Sequence, residues 1–97
     1  MIADRRPLPV RFGDRLRACR NRAEISQEAL GEMTALHRTE IGLLERGERE
    51  PRLSTIIKFA SALDVPLHEL AGGISWQPGP SGAGDFEFRN LRAVPVV

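Results

Sequence analysis

Two helix starts only eleven residues apart constrain this chain more than any other feature. At the first, Ile25 precedes Ser26, and Gln27-Glu28-Ala29-Leu30 follow. A serine in that position accepts a hydrogen bond from a free backbone N–H of the first turn. An apolar residue just before the cap staples against one five positions on, here Leu30. The second start repeats the spacing, with Leu36, a cap position at His37, and then Ile41. The first helix therefore runs from Ser26 to about Met33 and the second over about 37–46, with Ile41 and Leu44 turned inward. About three residues separate them, too few for a long antiparallel hairpin, so the two helices must cross sharply. Gly47 follows directly, where a left-handed residue is needed to end the helix.

The flanking sequence supplies more short helices. Pro7 and Pro9 predict an extended arm over 1–10. Phe12, Leu16, Cys19, Arg20 and Ala23 then recur at helical spacing and predict a helix over about 11–23. Arg20 on the apolar stripe is the anomaly, because a buried charge needs a partner. Leu53, Ile56, Ile57, Ala60 and Leu63 give a further stripe over 53–63. A short last helix runs from Pro66 to Leu70 and stops at Gly72-Gly73. The expected architecture is all-α, five helices packed over residues 11–72.

Beyond that the pattern changes. Gln77-Pro78-Gly79-Pro80-Ser81-Gly82-Ala83-Gly84 is rich in turn formers, and the flanks Ile74-Ser75-Trp76 and Phe86-Glu87-Phe88-Arg89 alternate apolar with polar. A β-hairpin within the tail 73–97 is one reading. A disordered tail is the other, although three aromatic residues in so short a stretch oppose it.

Charge is informative only through its distribution. The net charge is +1, yet seven arginines (Arg5, Arg6, Arg11, Arg15, Arg17, Arg20, Arg22) stand against Asp4 and Asp14 up to position 22. Such a segment serves equally well to track phosphates or to solvate a helix face. The single cysteine, Cys19, suits a small buried hydrophobe in a reducing, cytoplasmic setting. No apolar run approaches the roughly 20 residues of a membrane span. No phosphate-binding loop, nucleophile elbow or metal-spaced His/Cys set is present, so neither catalysis nor a cofactor is expected. His68 lies alone on the last helix and reads as solvated.

From Phe12 to Leu70 the chain resembles the Cro-like, phage-repressor (XRE) family of helix-turn-helix regulators. The resemblance is carried by LRACR (Leu16–Arg20), ISQEALG (Ile25–Gly31), TEIGLLERG (Thr39–Gly47), Glu50-Pro51 and FASALDVPLHEL (Phe59–Leu70). It implies a five-helix, lambda-repressor-like DNA-binding domain. It also implies that Arg20 pairs with Glu45 inside the domain, a structural ion pair tying the first helix to the end of the third. Three positions depart from the family pattern. Gly31 fills a place usually held by alanine, Ala35 a turn position usually held by glycine, and Thr34 a position usually apolar.

The resemblance places the N-terminal half of the third helix in the major groove of duplex DNA, with the second helix across the backbone. Gln27, at the free N–H groups of the second helix, is expected to bind a phosphate and brace the reading helix. Outward on the third helix stand His37, Arg38, Thr39, Glu40, Gly42, Leu43 and Arg46. Arg38 suits bidentate contact with guanine, Thr39 a hydroxyl-tolerant base edge or a thymine methyl, Leu43 a methyl group, and Glu40 either cytosine N4 or exclusion of phosphate. His37 is expected to cap the helix or meet a phosphate, Arg46 to meet a phosphate, and Arg49 either to do so or to stay solvated.

One module buries little surface, so a homodimer on an inverted repeat is expected, most simply as a repressor. Trp76, Phe86 and Phe88 are the candidate dimer surface, with packing onto their own domain as the competitor. The rival function is an antitoxin that holds a toxin partner through the tail and represses its own operon.

Overall fold

A computed structural model describes residues 5–88. Residues 1–4 of the expected arm, and the tail from Arg89 to Val97, lie outside the described residues. Five helices run in order: α1 (Leu8–Arg22), α2 (Gln27–Thr34), α3 (Arg38–Glu45), α4 (Leu53–Leu63) and α5 (Leu67–Ala71). An antiparallel pair of strands follows, β1 (Ile74–Pro78) and β2 (Gly84–Phe88), joined through a tight turn at Pro80–Gly82. None of these helices is long and apolar enough to cross a membrane.

The caps fall where the two starts predict them. Ser26 accepts from the Ala29 amide at 3.0 Å, and His37 Nδ1 accepts from the Thr39 amide at 3.0 Å. At the far end of α3, Gly47 takes φ +73°. Its amide donates to Leu44 O, and the Glu48 amide donates to Leu43 O. Both bonds of a Schellman ending are therefore present, and the following loop is turned back along the helix.

Helix 1 begins at Leu8, earlier than the prolines suggest. Pro7 is the cap residue and Pro9 lies in the first turn, where an amide has no helical partner anyway, so neither ring breaks the helix. Pro66 likewise stays outside α5 as its cap residue.

The core is made by Phe12, Leu16 and Cys19 of α1, Leu30 of α2, Ile41 and Leu44 of α3, Phe59, Ala60 and Leu63 of α4, and Leu70 of α5. Ile25 and Leu36, the two stapling residues, pack against it half-buried. Thr34 is also buried, and it satisfies its hydroxyl by donating to Leu30 O at 2.7 Å. A polar residue is therefore tolerated at this apolar position.

The turn between α2 and α3 keeps its left-handed residue although no glycine is there. Ala35 has φ 59° and ψ 37°, a conformation that costs an L-residue about 1–2 kcal/mol. Gly31 compensates on the other side of the turn. A Cβ there would lie 2.5 Å from Leu36 O, so even alanine cannot fit without movement. Ala35→Gly should therefore raise stability by about 0.5–1 kcal/mol, the strain relieved less the extra freedom of glycine when unfolded. An unchanged or lower denaturation midpoint would show that the strain is already relieved elsewhere.

The hairpin packs back onto its own domain. Its register pairs Ile74 with Phe88 and Trp76 with Phe86, which puts these four side chains on one face. Phe88 lies under the Arg15 guanidinium, 3.9 Å from ring centroid to Cζ, and Arg11 Nη2 donates to Phe86 O at 3.1 Å. Residues 11 and 15 share a face of α1 opposite to that of Gly13 and Arg17, which meets α3. Docking the hairpin thus leaves the α3 side of α1 untouched.

Candidate nucleic-acid interface

Helix α3 is anchored at its C-terminal end by one buried acid. The Glu45 side chain is 1% exposed and is ringed by three others. Arg20 makes a two-bond pair with it, Nε to Oε2 at 2.5 Å and Nη2 to Oε1 at 3.0 Å. Gln27 Nε2 donates to Oε1 at 3.1 Å, and Arg17 Nε lies 3.6 Å from the same oxygen. Arg20 also donates to Ile25 O at 2.9 Å, fixing the approach to α2. Burial works against the charge on Glu45, but the hydrogen bonds from Arg20 and Gln27 and the two guanidinium charges outweigh it. The carboxyl is held below its ordinary value, and the bond to Glu45 raises Arg20 in turn. The Arg20–Glu45 pair implied by the family resemblance is thus present in the structure.

Gln27 has a narrower role than the sequence suggests. Its amide nitrogen turns inward to Glu45, so it braces α3 directly from the first turn of α2. One amide hydrogen remains to donate to a phosphate. Gly42 is not an outward residue: it is buried, and a Cβ there would come within 3.0 Å of the Arg46 guanidinium. Arg46 folds over this gap along the helix.

Two close approaches hold α3 against α1, and the sequence reading missed both. A Cβ at Gly13 would lie 2.4 Å from Glu45 O and 2.5 Å from Leu44 O, and one at Gly47 would lie 2.6 Å from the Val10 Cα. Arg17, also unassigned from sequence, adds a bond from Nη2 to Glu45 O at 3.4 Å. One signal was available: positions 13 and 17 share a face of α1 with the anomalous Arg20.

With that end fixed, the N-terminal half of α3 stands free. His37, Arg38 and Thr39 are all exposed in succession, with Glu40 and Leu43 half-buried beside them and Arg46 and Arg49 exposed beyond. The His37 ring is engaged as the helix cap. Each arginine has an acidic neighbour: Arg38 lies 3.9 Å from Glu28, Arg49 is 2.6 Å from Glu40, and Arg46 pairs with Glu48. Trp76, Phe86 and Phe88 are remote from this surface, on the other flank of α1. Phe88 is half-buried beneath Arg15, while Trp76 and Phe86 stack edge to face with ring centroids 5.0 Å apart and remain 51% and 40% exposed.

A helix-turn-helix family model matches residues 16–70. Control protein C.SmaI of Serratia marcescens is 46% identical over 59 residues, covering 61% of this chain and 70% of that protein. The crystal structure of the restriction-modification controller protein C.AhdI of Aeromonas hydrophila superposes with a TM-score of 0.62 at 44% identity, over 64% of this chain and 94% of that one. The P22 c2 repressor, solved with a synthetic operator, gives 0.58 at 34% identity over 63% and 94%. In each of these three alignments more than a third of the present chain lies outside the matched part.

Proposed function

Because the chain belongs to the helix-turn-helix family, in the Cro-like form its motifs resemble, we propose that it is a repressor-type regulator that binds an inverted-repeat operator as a homodimer. The observation that carries this is the exposed row His37-Arg38-Thr39 at the N-terminus of α3, on a helix whose far end is anchored through Glu45. A reading helix must present base-contacting side chains without wobble, and a buried, four-part anchor supplies that. In this reading Arg38 contacts guanine and Thr39 and Leu43 meet neighbouring bases. Gln27, His37, Arg46 and the first-turn amides of α2 meet phosphates. Glu40 and Arg49 stand on the flank of the same surface.

The two controller proteins among the relatives favour control of a restriction-modification operon over the antitoxin reading. Among the described residues of the tail, Phe88 serves the chain's own α1. Trp76 and Phe86 are our choice for the added dimer surface.

Selection of bound sequences from a random duplex pool at fixed salt tests the reading. Two symmetric half-sites with centres about 10 base pairs apart are expected. A single asymmetric half-site would refute the dimer, and no enrichment at all would refute sequence-specific binding. Arg38→Ala should cost about 1–3 kcal/mol and relax the preference at one base pair per half-site. A loss uniform over all sequences would make Arg38 a phosphate ligand instead.

A further inference from the structure

Arg49 lies outside α3, yet its guanidinium is returned to the flank of the reading helix. Nη1 sits 2.6 Å from Glu40 Oε2, across a span of nine residues. Two features put it there. The Schellman ending at Gly47 folds the chain back along the helix, with the Glu48 amide on Leu43 O. At 100° per residue, Glu40, Leu43 and Gly47 fall on one stripe, so the loop leaves on the side where Glu40 stands. Arg38 and Glu40 flank Thr39 by about 100° on either side. Arg38 has its own acid, Glu28 on α2 at 3.9 Å, so the exposed Thr39 is bordered by an arginine-glutamate pair on each side.

An arginine meant only for phosphate gains nothing from an acid fixed on α3 itself, as Glu40 is; the acid beside Arg46, Glu48, lies in the loop beyond the helix. Glu40 would weaken the phosphate contact and repel the backbone as well. The pair is also no support for the fold, since the Arg49 side chain is 56% exposed and such pairs contribute little. An arginine meant for a base edge does gain. The guanidinium offers five donors in a rigid fork, so it can keep one on Glu40 and present others to guanine O6 and N7. Swinging out to an arbitrary phosphate would break the bond to Glu40, which opposes the unspecific complex more than the specific one.

We propose that Arg49 is a second base-reading residue, directed at a guanine edge, and that Glu40 is its positioning residue. This rests on the duplex-reading role proposed above for α3. Glu40 then acts through Arg49 and has no cytosine of its own to read.

Sequence selection with the full chain and with Arg49→Ala, Glu40→Ala, Glu40→Gln and the double variant Glu40→Ala/Arg49→Ala tests the proposal, with affinity for a scrambled duplex as reference. Arg49→Ala should relax a single base pair in each half-site, distinct from the one Arg38 reads. Glu40→Ala should relax the same pair by roughly tenfold. The double variant should be no worse than Arg49→Ala, and Glu40→Gln, which keeps an acceptor, should retain part of the preference. If Glu40→Ala instead tightens binding to selected and scrambled duplexes alike, Arg49 is a phosphate ligand and the proposal falls. It falls too if Glu40→Ala relaxes a position that Arg49→Ala leaves intact, because Glu40 then reads cytosine itself. A full chain that selects a site while Arg49→Ala selects the same one overturns this inference alone. A full chain that selects nothing overturns the duplex-reading role with it.

Discussion

Glu45→Ala should destabilise the domain by about 3–5 kcal/mol and lower its melting temperature by on the order of 20 °C. The size follows from what is left behind. Arg20 is only 13% exposed, and with Glu45 gone its guanidinium keeps only the Ile25 carbonyl. An uncompensated charge in that position costs more than the pair ever contributed, since forming the pair already carries the desolvation of both groups. Gln27 loses its partner on α3 at the same time, and Arg17 keeps only the main-chain oxygen of residue 45. A domain of this size has about 5–15 kcal/mol in total, so the variant would stand near the edge of folding. Replacing both partners with apolar residues of similar volume, Arg20→Met with Glu45→Leu, should recover much of the loss in stability. It should not recover DNA affinity, because Gln27 would still lack its acceptor. A melting temperature equal to that of the parent chain in Glu45→Ala would show that the pair is not structural.

The same carboxylate gives a pH signature. Its folded-state pKa is depressed below the ordinary value of 4.5, the hydrogen bonds and guanidinium charges having overcome burial. A depressed acid contributes stability in full above its unfolded pKa and loses it as the pH falls through the folded value. The melting temperature should therefore be flat through neutrality and decline in acid below about pH 4.5. Glu45→Gln should start lower and show a shallower decline over that interval. An equal slope in the two proteins would assign the acid sensitivity to other carboxylates.

What could be read in the sequence was what depends on local spacing. The paired caps at Ser26 and His37, and the glycine after α3, are statements about a few consecutive residues, and the structure has them in place. Arg20 stood out because a charge on an apolar stripe violates the pattern, and the family resemblance supplied its partner. The left-handed turn at Ala35 could be anticipated for the same reason, as a departure at a known position. Arg17 escaped because an exposed arginine among arginines breaks no rule. Glu40 and Arg49 were each visible as polar residues, but their pairing depends on the direction in which the chain leaves Gly47, which spacing does not encode. The contact between Phe88 and Arg15 joins residues at opposite ends of the chain, and only the packed fold brings them together. Helix 1 begins earlier than Pro7 and Pro9 suggest, because a proline in the cap or the first turn has no helical bond to break.

Gly13→Ala should be the second large effect, and its sign is opposite to what helix propensity predicts. In the middle of α1, alanine would ordinarily stabilise the helix by about 1 kcal/mol over glycine. Here the added methyl would sit 2.4 Å from Glu45 O and 2.5 Å from Leu44 O. Both are main-chain atoms of the last turn of α3, so no side-chain rotation relieves the overlap. Either α1 or α3 must shift by close to an ångström, and the end of α3 is pinned by Arg20, Gln27 and Arg17. Overpacking of this kind typically costs 1–3 kcal/mol and sometimes more. Against so rigid a neighbour we expect the upper part of that range, for a net loss of about 2 kcal/mol after the propensity gain. The functional consequence should exceed the loss of stability. A shift of α3 moves Arg38 and Thr39 with it, so the folded variant should bind a selected operator more weakly while binding scrambled duplex as before. Denaturant unfolding, together with affinities measured where the variant is fully folded, separates the two effects. If the midpoint rises, the helices tolerate a methyl between them and the close backbone approach does not set the position of α3. If stability falls but operator affinity is unchanged, α1 has moved and the reading helix has not.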